Sequence, residues 1–384
     1  AVMGAILVIN AGSSSIKVAV LGMDMSQRAS GMVSEIGGTG ELRVGSARQP
    51  VVAADHGEAF AALLDALAEI WFGLNGFVAA GHRVVHGGRK LTRPLLVDEA
   101  VLAEIAACVP LAPLHNPHNL SAILALREVA PDLPQVAVFD TAFHASNPEV
   151  ALRYALPDAE DRKGIRRYGF HGISYESLVE RLPRVSGTPL PRRLLALHLG
   201  NGASICAIRD GRSVATTMGY SPLDGLTMGT RTGGIDGNAV LRLAEEYGID
   251  GAARLLNRQS GLLGLGGASD MRTLSQADTD AARFAVEHFC YWAVRHAGSM
   301  IAAMGGIDGV AFTGGIGEND AHVRGEIMRG LDWTGLMVDE DANGAGALQL
   351  HGAGSRVCAH IVPADEESQI AAETCRCLKI GDYV

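Results

Sequence analysis

The stretch Asn10-Ala11-Gly12-Ser13-Ser14-Ser15-Ile16-Lys17 constrains this chain most. Residues 6–9 before it are apolar and β-prone, and Ile16, Val18 and Val20 after it alternate with Lys17, Ala19 and Leu21. The pattern predicts strand, tight turn, strand: a hairpin. Its turn is made of anion-binding groups. Gly12 permits close backbone approach, three serines offer hydroxyls and N–H groups, and Lys17 adds a positive charge. Successive backbone N–H groups in such a turn form a concave anion site. Taken alone, the stretch reads equally well as an ordinary Ser-rich turn. A related run spans 197–208, with His198-Leu199-Gly200-Asn201-Gly202 before a second apolar strand, and Asp210-Gly211 makes a further turn. Two such hairpins half a chain apart predict two similar domains, each offering a phosphate-holding turn to a shared cleft.

At 384 residues the chain is long enough for two cores. With 48% apolar and 19% charged residues it is expected to be globular and soluble. No run of about 18 apolar residues predicts a membrane span. The first residues have neither a basic segment nor an apolar stretch and do not read as a signal peptide. A net charge of −10 argues against a non-specific nucleic-acid binder but leaves a nucleotide site open. The six cysteines are scattered, without C-x-x-C or zinc spacing, so buried thiols in a reducing cytoplasm are expected.

Further along, residues 25–54 read as strands and turns, and 58–71 as an amphipathic helix. A strand ends at Gly87-Gly88 with Arg83 and Val85 on one face; an arginine there points at an anion or at the surface. Residues 98–109 predict a helix. The Pro-rich loop 111–119 ends in Asn119, placed to cap the next helix. His115 and His118 in that loop lack a third ligand and are not read as a metal site. A buried strand over 135–139 ends in Asp140, where α/β enzymes keep catalytic groups and where helix caps also sit. Arg166 to Phe170 and His171 form a loop that reads as suited to an anionic substrate or as an ordinary surface loop, with Ser174 capping a helix to Leu182 and a connector over 183–191.

The Gly-rich stretch 218–238, around Arg231, predicts a functional loop. A helix over 238–247 stops at Gly248, and 260–272 reads as another Gly-rich loop. Residues 279–304 predict a long buried helix. The strand 309–313 runs into Gly314-Gly315-Ile316-Gly317-Glu318-Asn319 and a helix start, a common anion or nucleotide site. After a strand at 359–362, Asp365, Glu366 and Glu367 open the last helix; such acids offset a helix dipole or hold a cation. The P-loop, the dinucleotide fingerprint and H-E-x-x-H are absent.

In combination, nine segments resemble the acetate kinase family, the acetate and propionate kinases of the sugar kinase, Hsc70 and actin superfamily. They are residues 10–17, 81–88, 113–119, 139–144, 167–171, 198–202, 228–236, 312–319 and 363–367, in family order. The resemblance implies an α/β chain of two similar actin/Hsc70-like (ribonuclease H-like) domains with the active site in the cleft between them. It divides the chain into 1–141 plus 367–384 and a nucleotide-binding domain at 142–366. It implies reversible transfer of phosphate from ATP to acetate with Mg²⁺, or Mn²⁺ in its place, by a cytoplasmic homodimer without nucleic-acid or membrane partners.

By the same resemblance Asn10, Ser13, Ser15 and Lys17 lie near the transferring phosphate, and Asn10, Asp140 and Glu366 serve the metal and its waters. Arg83 and Arg231 hold the carboxylate and the phosphoryl group, and His171 stabilises the transition state. Val85, Leu114, Phe170 and Pro222 wall the acyl pocket. His198, Leu199, Gly200, Asn201 and Gly202 face the nucleotide phosphates. Asp270, Met271 and Arg272, with Gly315, Ile316, Gly317, Glu318 and Asn319, hold the adenosine side. Tyr175 stands where many relatives have a second histidine, and Gly234 and Gly237 replace an expected Asp and Pro. Two alternatives stay open: a propionate or butyrate kinase of the same family, and a non-catalytic nucleotide-binding module.

Overall fold

The structure is a computed structural model that describes residues 4–70 and 73–381. Trp71, the expected end of the first helix, lies outside the described residues. The chain forms two compact units: one runs to Phe143 and resumes at Asp365, and the other is His144–Ala364. The first unit therefore includes Glu366.

The first unit is built on an eight-stranded sheet. Its strands are β1 (Ala5–Ala11), β2 (Ser15–Gly22), β3 (Gln27–Ser34), β4 (Thr39–Val44), β5 (Ala47–Val52), β6 (Phe77–Val84), β7 (Leu95–Leu96) and β8 (Gln135–Phe139). They lie in the order β5-β4-β3-β2-β1-β6-β8-β7. β1 to β5 form an antiparallel meander, while β1, β6 and β8 run parallel. Ile6, Leu7, Val8 and Ile9 do not alternate with polar residues because both faces of β1 are covered, and none exceeds 1% exposure. Leu7 and Ile9 pack with Phe60, Leu63 and Leu67 of the helix His56–Ile70, and with Ala122 and Leu126 of the helix Asn116–Val129. The helix Glu366–Leu378 covers the other face. Gly81 permits that approach: a Cβ there would lie 2.3 Å from Thr374 Oγ1.

The second unit carries β9 (Arg193–Leu199), β10 (Ala203–Arg209), β11 (Arg212–Thr216), β12 (Gly309–Thr313) and β13 (Cys358–Ile361), ordered β11-β10-β9-β12-β13. Its antiparallel β11-β10-β9 edge and parallel β9-β12-β13 run repeat the pattern of β3-β2-β1-β6-β8. The two hairpins legible in the sequence are thus the first visible part of a repeated sheet.

Several elements differ from the sequence reading. Asn119 is not a cap. The helix begins at Asn116, with Pro117 in its first turn, where a missing N–H costs nothing. Asn119 lies buried within the helix, its Oδ1 accepting the Val85 N–H at 3.0 Å and its Nδ2 donating to the Ala11 carbonyl at 2.8 Å. Ser174 is also inside its helix, Gly172–Ser186, which starts after His171 and passes through Pro183. Its buried Leu178 and Leu182 outweigh one unfavourable residue near its end. The stretch 260–272 is not all loop: it contains the helix Gly261–Gly266, and Asp270 caps the helix Met271–Gln276 by accepting the Arg272 and Thr273 N–H groups. The long helix runs Asp280–Met304 with Thr279 as its cap, and it is not buried all round: it exposes Phe284 and Tyr291. Gly248, with φ 72°, breaks its helix where the stop was expected, but helix resumes beyond it and the element runs Gly237–Arg258. Among the described residues no helix is long and apolar enough to cross a membrane.

Candidate active site

In the first unit the parallel strands end in a cluster of charge. Arg83, at the end of β6, donates to Asp140 Oδ2 from Nε at 3.0 Å and from Nη2 at 2.6 Å. Its Nη1 reaches Asn10 Oδ1, at the end of β1, at 3.3 Å. Asp140 follows β8 and is 2% exposed, while Arg83 is partly open to solvent. Three neighbouring strands thus deliver Asn10, Arg83 and Asp140 to one edge. The first turn of the helix Glu366–Leu378 adds two acids. Burial, then the charges of Asp140 and Glu367, push the Glu366 carboxyl up to about 7, against the opposing pull of Arg83 and Lys17. Glu367 is held below its usual value despite burial, because Lys17 Nζ donates to its Oε1 at 2.5 Å.

The β1–β2 turn is fixed from outside. His56 Nε2 donates to the Gly12 carbonyl at 2.6 Å, Asn119 to that of Ala11, and the Ile36 N–H to that of Ser14 at 3.0 Å. The Gly12 N–H donates to the Ser15 carbonyl at 2.8 Å. The carbonyls are drawn inward, and Ser13 and Ser14 stand exposed. His118, read as a loop residue but placed in the first turn of the helix Asn116–Val129, stacks on His56 with ring centroids 4.5 Å apart and packs against the support of the turn. Of the two wall residues in this unit, Val85 is 5% exposed and Leu114 is 46% exposed.

The second unit gathers Arg231, His171 and His198. His171 has φ 58°, a left-handed conformation uncommon outside glycine that marks functional sites. Its Nδ1 bonds Ser204 Oγ at 2.9 Å, and Tyr175 Oη bonds the same oxygen at 2.5 Å. Burial pushes the Tyr175 phenol well above its usual pKa, so it stays protonated. His198 stacks on His171 at 4.1 Å and bonds Ser174 Oγ through Nδ1 at 2.8 Å. Arg231 Nη1 donates to the Pro222 carbonyl at 3.0 Å and approaches Met228 Sδ at 3.7 Å. A Cβ on Gly202 would lie 3.3 Å from His171 Nε2 and 3.6 Å from Arg231 Nη1, so glycine here leaves room beside both groups. Phe170 is buried and its carbonyl accepts from His144 Nε2 at 2.8 Å.

Beside this cluster lies a cavity of about 540 Å³, within the range of small-molecule sites. Gly200, Asn201, Asp270, Met271, Arg272, Gly315, Ile316 and Asn319 line it, together with Ser269 and Asp320. Three separate sequence segments thus meet in one place. Leu199, Gly202, Gly317 and Glu318 stand outside its lining. Glu318 instead accepts the Gly314 and Ala364 N–H groups, tying the turn together. The Arg272 side chain is paired with Asp270, and that hydrogen bond lowers the Asp270 carboxyl to about 2. The sequence reading missed Ser204, Ser174, Ser269 and Asp320. Strand alternation in β10 could have put Ser204 on one face, but nothing local indicates its histidine partner.

The profile of the Acetokinase family matches residues 5–372. The acetate kinase of Deinococcus radiodurans is 45% identical, the match covering 96% of both chains. The crystal structure of Porphyromonas gingivalis acetate kinase superposes with a TM-score of 0.92 at 35% identity, covering 98% of this chain and 100% of that one. A propionate kinase from Francisella tularensis gives 0.91 at 36% identity, covering 97% and 99%.

Proposed function

The chain belongs to the acetokinase family, and on that premise we propose that it transfers the terminal phosphoryl group of ATP to acetate, reversibly, giving acetyl phosphate and ADP. The observation that carries this reading is the match over residues 5–372, joined to a site chemistry that needs no strong base. Acetate is already ionised. Phosphoryl transfer is chiefly positioning and neutralisation of charge, and the reacting partners are both anions. Arg83 and Arg231 offset that repulsion. In the second unit Ser204 Oγ bonds both Tyr175 Oη and His171 Nδ1; with Tyr175 and then Ser204 as the donors, the His171 proton would sit on Nε2, where it can be donated to a phosphoryl oxygen. The nucleotide occupies the 540 Å³ cavity, with its phosphates toward the 200–202 turn. The same proposal favours direct in-line transfer over a phosphoenzyme.

The acidic cluster of the first unit fits a hard divalent cation. A carboxyl pushed up to about 7 in the company of two further acids takes up either a proton or a cation. Among the described residues no three His, Cys, Asp or Glu side chains stand close enough to hold a metal by themselves. That suits magnesium, which is bound by one or two carboxylates and keeps water and substrate phosphate as its other ligands. Asn10, Asp140 and Glu366 would hold it, and it would supply further neutralisation of the transferring group; manganese, with similar oxygen preference, is the expected substitute. Ser13, Ser15 and Lys17 would support the phosphate side. A homodimer in the cytoplasm belongs to the same proposal, on family resemblance, and sedimentation equilibrium tests the dimer.

The likeness to a propionate kinase gives a second reading, the three-carbon acid as preferred acceptor. A hydroxamate assay, with ADP release measured in parallel, on acetate, propionate and butyrate tests both. Acetate is expected to give the highest kcat/KM. A higher value for propionate selects the second reading, and ADP release without hydroxamate rejects both.

A further inference from the structure

The segment 220–224 carries Pro222, whose carbonyl orients the Arg231 guanidinium. It is held at both ends by one pair of stacked side chains. Tyr154 Oη accepts the Tyr220 N–H at 3.0 Å. The Arg167 guanidinium lies over the Tyr154 ring, 4.4 Å from its centroid, and Nη1 donates to Asp224 Oδ2 at 3.3 Å. Gly219 lets these groups converge: a Cβ there would lie 2.5 Å from Tyr154 Oη and 2.6 Å from Asp224 Oδ2. The Gly219 carbonyl also accepts the Tyr168 N–H at 3.0 Å and the Gly169 N–H at 3.3 Å. The segment that presents a carbonyl to Arg231 is thereby stitched to the segment that carries His171.

Arg167 and Asp224 are 39% and 37% exposed, and an ion pair that open adds little to stability. Its use lies in geometry. Resting on the phosphotransferase reading above, we propose that Tyr154, Arg167 and Asp224 form a clamp that positions Arg231 for phosphoryl transfer. Besides the Pro222 carbonyl, Arg231 Nη1 meets the thioether of Met228, a weak acceptor. A shift of the 220–224 segment would move the carbonyl that accepts from Arg231 Nη1. A misplacement of about 1 Å costs on the order of 10²-fold in rate.

The test compares Arg167→Met, Arg167→Lys and Tyr154→Phe with the wild type, in hydroxamate and thermal-unfolding assays, and repeats Arg167→Met in an Arg231→Ala background. Arg167→Met is expected to lower kcat about 10- to 100-fold, with the KM for ATP and the Tm little changed. Arg167→Lys, which keeps the charge but not the planar fork, falls between. In the Arg231→Ala protein, Arg167→Met is expected to change the residual rate by less than about twofold, because no guanidinium remains to be placed. Equal losses in both backgrounds overturn the clamp. If Arg231→Ala is too slow to measure, the single variants decide. Lowered kcat at unchanged Tm supports the clamp, and unchanged kcat in both Arg167→Met and Tyr154→Phe overturns it. A wild-type protein that forms no acyl phosphate rejects the functional reading itself, before any variant is compared.

Discussion

Asp140→Asn probes a deeply buried charge of the first unit. Asp140 is 2% exposed, and one of its oxygens accepts two N–H groups of Arg83, at 2.6 and 3.0 Å. The amide keeps an oxygen in place but removes the charge. A hydrogen bond to a charged acceptor contributes about 1.5–3 kcal/mol and a neutral one about 0.5–1.5, so the two bonds together lose about 2 kcal/mol. If Arg83 is as well placed in the ground state as in the transition state, that loss appears mainly in stability. If its orientation matters in the transition state, about 2 kcal/mol becomes roughly 30-fold in kcat. Loss of one of the proposed magnesium carboxylates adds to this and raises the Mg²⁺ concentration for half-maximal rate. The assay is acyl phosphate formation over a magnesium titration, with thermal unfolding alongside. We expect kcat to fall about 30-fold or more, with a right-shifted magnesium curve. A fall in kcat with an unmoved magnesium curve assigns Asp140 to Arg83 alone. A wild-type kcat with an unmoved curve refutes the reasoning altogether.

Val85→Ala is expected to raise the propionate-to-acetate ratio of kcat/KM about 3- to 10-fold, since one methylene is discriminated by about 1–3 kcal/mol at most; an unmoved ratio removes Val85 from the acyl pocket. Ser204→Ala takes the partner from His171 Nδ1 and should lower kcat about 3- to 10-fold, the worth of about one hydrogen bond, while altering the pH profile of kcat; a change confined to Tm would make Ser204 purely structural. Acid should destabilise the fold through its buried histidines. Burial depresses the His82 and His144 imidazoles to about 4, so the unfolded chain binds protons from about pH 6.5 downward while the folded one does not. Their stabilisation is complete above about 6.5 and is lost as pH falls toward 4, by up to about 3 kcal/mol for each group. Urea unfolding between pH 7 and 5, above most carboxylate titration, should show the slope, and His82→Gln should reduce it; a flat profile in the wild type contradicts the assignment.

The sequence alone determined the strands and most of the helices, because their signals are local. Apolar runs such as 6–9 and 309–313, the helices beginning near 98 and 279, and the break at Gly248 all depend on neighbours a few residues away. It also determined the repeated hairpin, and the family resemblance supplied the residues that carry charge. The tertiary structure decided what those residues touch. Asn119 has the composition of a cap, yet it braces β1 and β6 from inside a helix, because proline at 117 had already started that helix. Lys17 has the chemistry of a phosphate ligand, and its partner in the folded chain is Glu367, 350 residues away. The contacts of Ser204 with Tyr175 and His171, the raised Glu366 carboxyl, and the convergence of Tyr154, Arg167 and Asp224 on one segment all join groups far apart in sequence. Local propensity carries no term for such contacts. Burial and hydrogen-bond direction decide them, and both exist only once the sheets have assembled.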